Sequence, residues 1–192
     1  MNNQSAPTSQ DQFIYDVHQN PHNAQILARW DALYLPDGWL VAGCLFQTVW
    51  NRLSKRAPDT GIKDYDLFYF DADDLSAEAE QAVQRRVQEV FADLRVTLEV
   101  CNQARVHLWY ESHFGHPYPQ ALTCAKDGID RFLIPSTCVG MNPREVYAPN
   151  GFADLYGGLL AMNPLVPHRE LYERKAASYQ QRWPWLRCVG AA

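Results

Sequence analysis

The sequence predicts an α+β domain: a small mixed β-sheet with helices packed on it, followed by a helical C-terminal extension. Three observations carry this. Short apolar or alternating runs at residues 39–42, 64–70 and 96–101 have strand length and strand composition. Longer stretches between and after them repeat apolar residues at helical spacing. A glycine turn at Gly43-Cys44 separates the first strand from a helix at once, which ties strand and helix into one unit.

The 192 residues suffice for one well-filled domain, and 47% hydrophobic with 20% charged residues is ordinary globular composition. The net charge of −5 argues against a general nucleic-acid or membrane-surface binder. Five scattered cysteines without a CxxC pair suggest neither a zinc knuckle nor a disulfide framework. Reduced thiols, no signal peptide and no apolar run of spanning length make a cytoplasmic location the expectation. Oligomeric state is not legible.

Taken in order, the polar start reads as a disordered tail through about residue 15, and 16–192 as a single domain. A helix is expected over Pro21–Leu35, with Asn20 as N-cap and proline in the first turn. Pro36-Asp37-Gly38 is a turn, Trp39–Ala42 a buried strand, and Leu45–Ser54 a helix. The polar loop Lys55–Ile62 leads to the strand Asp64–Phe70. A helix from Ser76 to about Leu94 presents an apolar stripe, and Asp71, Asp73 and Asp74 serve as cap and turn residues. Val96–Cys101 alternates as a strand. Asn102-Gln103 marks a turn, and Ala104–Tyr110 alternates again, so a hairpin is expected. Glu111–Asp127 reads as loop, Cys138–Met141 and Glu145–Ala148 as short strands, and helices follow from about residue 150, the last from His168 to Trp183.

The chemistry gathers at Asp64-Tyr65-Asp66. Residues two apart in a strand share a face, so both carboxylates stand side by side. Like charges that close repel unless a cation lies between them, and a hard divalent ion such as Mg²⁺ suits oxygen donors. Where the strands are neighbours, Glu99 completes a three-carboxylate cluster. Such a cluster holds one or two Mg²⁺ (or Mn²⁺) ions for in-line attack on an α-phosphorus. The strand, Gly43-Cys44 turn and helix upstream form a geometry that collects phosphate on backbone N–H groups.

At these residues the sequence resembles the nucleotidyltransferase superfamily with the DNA polymerase β-like fold. It looks most like a bacterial branch of uncharacterised single-domain members. Trp39–Cys44 and Gly61–Asp71 carry the glycine turn and the Asp-x-Asp pattern. Asn102–Trp109, Gly128–Phe132 and Arg182–Leu186 are similar to the branch alone. The resemblance implies a Mg²⁺-dependent enzyme that moves NMP from ATP or another NTP to an unknown acceptor. Asp64, Asp66 and Glu99 would be the catalytic metal ligands. Gly43, Cys44, Lys63, Arg105 and His107 would form the nucleotide site. The alternative is a non-catalytic nucleotide- or partner-binding module on the same fold.

Several residues carry two readings. Arg105 and His107 either contact the triphosphate or form a half-buried strand pair. Cys44 reads better as a small buried thiol than as a nucleophile. Asp130 and Arg131 read as an ion pair fixing a loop. Lys175 and Arg182 belong to a solvated helix face that could reach a phosphate. His107, His113 and His116 lack the spacing of a zinc site.

Overall fold

The computed structural model describes residues 9–116, 118 and 120–189. Residues 1–8, the first part of the expected tail, lie outside it. The rest of that expectation is corrected. Ser9 accepts a hydrogen bond from Gln12 N and caps helix α1 (Gln10–His18), whose Phe13 and Val17 are fully buried. An apolar pair four apart is enough to dock one face of a short helix.

Asn20 caps α2 (Pro21–Ala28) as expected, and a 3-10 turn at Trp30–Leu33 replaces the helix's last turns. Strand β1 (Trp39–Val41) and helix α3 (Gly43–Leu53) follow. Next come β2 (Asp64–Tyr69), α4 (Ala77–Val90, capped by Ser76) and β3 (Thr97–Asn102). β2 lies between an antiparallel β1 and a parallel β3, the latter reached through α4. Two short strands, β4 (Gly140–Met141) and β5 (Val146–Tyr147), extend the sheet on the β1 side, giving the order β3-β2-β1-β4-β5.

The expected hairpin does not form. Asn102 Oδ1 accepts from Ala104 N, and the chain turns through a 3-10 segment (Gln103–Arg105) into helix α5 (Val106–Phe114). The alternation at 104–110 is therefore misleading. Val106, Trp109 and Tyr110, at helical spacing, share one wall. The presumed loop before Asp127 likewise contains the end of α5, and the short helix α6 (Ala125–Ile129) reaches two residues beyond it.

The C-terminal part is not purely helical. Helix α7 (Ala153–Gly157) stops at Gly158, whose φ of 67° favours glycine and whose Cβ position is filled by Trp185. β6 (Leu159–Leu160) then pairs in parallel with β7 (Arg187–Cys188), on either side of helix α8 (Arg169–Arg182).

The sheet has two unlike faces. Tyr65, Leu67, Tyr69, Leu98 and Val100 enter the main core with α3 and α4. The opposite face carries Asp64, Asp66 and Phe68, and α6 covers only part of it, over Trp39 and Val41. Helix α3 is buried on eight of its eleven residues, so its polar side chains must find partners inside. Thr48 accepts from Asn20, which fixes α1 and α2. Asn51 donates to the carbonyls of Pro58 (3.1 Å) and Thr60 (2.9 Å) and accepts from Trp183 Nε1 (3.1 Å). It thus joins α3, the loop before β2 and the end of α8.

Asn51→Ala would leave the buried Trp183 indole N–H without its acceptor and release the carbonyls of the less buried Pro58 and Thr60. The expected loss, read by urea unfolding, is about 3 kcal/mol. A loss under about 0.5 kcal/mol would show that Asn51 does not hold these elements together.

Candidate active site

The site grows from the β1–α3 junction. Ala42 bridges strand and helix at φ 60°, ψ −134°, a conformation that L-residues rarely adopt. Such a residue costs on the order of 1–3 kcal/mol. The turn places Gly43 at the start of α3 and on the wall of a cavity of about 660 Å³. The first N–H groups of a helix lack intrahelical acceptors, so an anion is favoured there.

Strand register supplies the acids. Val41 faces Asp66 across β1 and β2, and Asp66 faces Glu99 across β2 and β3. Asp64 lies two residues earlier on the same face, and all three acids line the cavity. Burial pushes the Asp66 carboxyl up to about 7. The charges of Asp64 and then Glu99 add to that rise, and Lys175 opposes it. The sheet thus concentrates negative charge at one point without neutralising it internally.

This donor set is all oxygen and hard, opposed by the charge of Lys175 alone, which suits Mg²⁺ or Mn²⁺. In the rotamers present, no three His, Cys, Asp or Glu side chains among the described residues are arranged to hold one ion. Asp64 and Asp66 fit as the ligand pair, with Glu99 as a third donor one strand away.

The other expected site residues fall elsewhere. Cys44 is fully buried beneath the turn, and its thiol donates to Val41 O (3.2 Å). Burial, then the charge of Asp66, pushes that thiol well up, so Cys44 presents neither a thiolate nor a donor to the cavity. Lys63 is exposed and is not among the lining residues. Arg105 is spent on Glu80 and on the Leu75 carbonyl (2.8 Å), outside the lining. His107 is also off the wall, with Nδ1 buried and unpartnered. His116 stacks on His168 (4.2 Å) and His113 meets the Trp109 ring edge-on, so the three histidines do not gather.

Other residues take their place. Lys175 of α8 lines the cavity, and its charge reaches Asp66. Its neighbour Arg182 instead donates to Gly61 O (2.8 Å) and steadies the loop before β2. Gln47 also lines the cavity, with its buried Oε1 unpartnered. Its amide fills the space a side chain at position 43 would need. The signal for Gln47 was available, since it stands four residues after Gly43 on the same helix face. Arg131, read from the sequence as the ion-pair partner of Asp130, also lines the cavity.

A family model described as "Nucleotidyltransferase" matches residues 28–188. Among solved structures, the chain is similar to one described as an NMR structure revealing a CCA-adding enzyme head domain. Identity is 24%, over 96% of this chain and 97% of that one, with a TM-score of 0.75. No curated protein matches. The structural likeness is one of fold, and the family match spans both the glycine turn and the Asp-x-Asp strand: the chain belongs to the nucleotidyltransferase family.

Proposed function

We propose that the protein transfers NMP from an NTP, ATP among them, to an acceptor with release of pyrophosphate. The observation that carries this reading is Asp66: a carboxyl raised by burial and by two neighbouring acids, beside a glycine-started helix. Asp64 and Asp66 would hold Mg²⁺ or Mn²⁺, with Glu99 as the third oxygen donor. When bound, such ions offset triphosphate charge and acidify the attacking hydroxyl.

The protein's own groups divide the remaining work. The Gly43 end of α3 and Lys175 receive the β- and γ-phosphates. An acceptor oxygen bonds to the α-phosphorus as the bond to the bridging oxygen breaks, and pyrophosphate leaves with that electron pair. Glu99, exposed at the edge of the cluster, would take the acceptor's proton.

A second reading, a nucleotide-binding module without turnover, is favoured by the non-convergent acids and by the inward-turned Cys44 thiol. The two readings part on pyrophosphate.

Calorimetry with ATP and Mg²⁺ is expected to show binding that Asp66→Asn weakens at least roughly tenfold, the loss of one charge-assisted contact. Equal affinity in both proteins would overturn the metal-site reading. Binding without pyrophosphate release across all four NTPs and a mixed acceptor pool would favour the non-catalytic module.

Stability should follow Asp66 in a defined direction. Its folded pKa of about 7 lies above the ordinary 3.8, so the folded state holds the proton more tightly. That contribution is complete below about pH 4 and is lost as pH rises through 7. The Tm of Asp66→Asn relative to wild type should therefore climb from pH 4 to 7 and then level off. Above pH 7, added Mg²⁺ should raise the wild-type Tm and leave the variant's unchanged. A flat difference across this range would contradict the electrostatics given for Asp66.

A further inference from the structure

The cavity is polarised. Gly43, Gln47 and Lys175 stand beside Asp66 at one end. Phe68 is the next residue after Asp66 on the same face of β2, about 6.6 Å further along. From Phe68 onward the walls become aromatic. Phe68 meets Phe132 edge-on (5.8 Å), and Tyr110 packs on Tyr118 (4.6 Å), with Trp109 lining the same cavity.

One cation lies in this aromatic part. Arg131 lines the cavity, and its guanidinium sits over the Tyr118 ring at 5.4 Å. The ion pair with Asp130 expected from the sequence is absent, because Asp130 accepts from the Tyr147 hydroxyl (2.9 Å) instead. Among the described residues no carboxylate lies within ion-pair distance of Arg131.

A neutral nucleobase could accept hydrogen bonds from the guanidinium but would leave its charge unbalanced. Nucleobases are neutral near pH 7, and the anionic part of an NTP belongs at the Gly43–Lys175 end. A cation held on an aromatic wall matches a ligand with its own anionic group and a planar or apolar body. We propose that this compartment is the acceptor site, and that it takes a small aromatic molecule bearing a carboxylate or phosphate, anchored by Arg131. The word acceptor rests on the nucleotidyl-transfer reading; the aromatic-anion site does not.

The test uses 4-hydroxyphenylacetate and phenyl phosphate as probes, with neutral 4-hydroxyphenylethanol as control. Binding to the full chain is followed by NMR shifts of the Trp109 indole N–H, assigned with Trp109→Phe. Both anions should bind wild type and Asp66→Asn alike, the neutral control should bind at least roughly tenfold more weakly, and Arg131→Met should lose the same factor. The comparison of anion with control needs no variant, so it stands even if Arg131→Met fails to fold. Equal binding of control and anions would overturn the proposal. So would shifts confined to residues around Lys175, or tighter Arg131-dependent binding of a short single-stranded oligoribonucleotide, which would assign the compartment to an RNA end. Probe binding without any Mg²⁺–ATP binding would remove nucleotidyl transfer and keep the aromatic-anion site. Mg²⁺–ATP binding without probe binding would do the reverse.

Discussion

The constraint on which the rest depends is the burial of α3. A helix enclosed on most sides cannot leave its polar groups in water, so Thr48 and Asn51 each require a partner from elsewhere in the chain. Those partners are Asn20, the carbonyls of Pro58 and Thr60, and the Trp183 indole. Each bond fixes a distant segment: the N-terminal helices, the entry to β2, and the end of α8. Trp50 adds a fourth tie through Leu155 O (3.0 Å) and packs on Trp183 and Tyr179.

The functional arrangement follows from the same ties. Fixing the loop at Pro58–Thr60 sets where β2 begins, and hence where Asp64 and Asp66 stand relative to Gly43. Seating α8 through Trp183 and Tyr179 sets where Lys175 meets the cavity. Burial first, and then the charges of Asp64 and Glu99, raise the Asp66 carboxyl, so this acidic face lowers stability where it stands. The stability to hold it comes from the opposite sheet face, where Tyr65, Leu67 and Tyr69 alternate with the acids into a dry core. One strand therefore carries both the cost and the compensation, on residues of opposite parity.

Much of this is legible in the sequence. Alternation in Asp64–Tyr69 gave the acids a common face, and the spacing 43, 64–66, 99 placed turn and carboxylates on three elements that meet. The Asn20-Pro21 cap, the α3 and α4 helices and two short strands, expected at 138–141 and 145–148 and formed at 140–141 and 146–147, were also legible, because local propensity and burial agree there. Reading failed where two periods fit the same residues. Val106 to Tyr110 satisfies both alternation and helical spacing, and the Asn102 cap, bonded to Asp71 and Ala104, starts the 3-10 turn that leads into the helix. The C-terminal strand pair was illegible because β6 and β7 are two residues each and lie far apart in sequence.

By itself the sequence determined the α+β class, the acid-bearing strand, the glycine turn and the family pattern, since these rest on local periodicity and on residues close in the chain. Which side chains complete the site was decided only by tertiary packing. Arg105 reads as available in the sequence, but Glu80 and Leu75 O hold it in the fold, and Lys63 is exposed outside the cavity lining. Lys175, Gln47 and Arg131 entered the cavity from three separate elements. A charge's availability depends on what stands within a few ångströms of it, and that neighbourhood is a property of the fold, not of the chain's order.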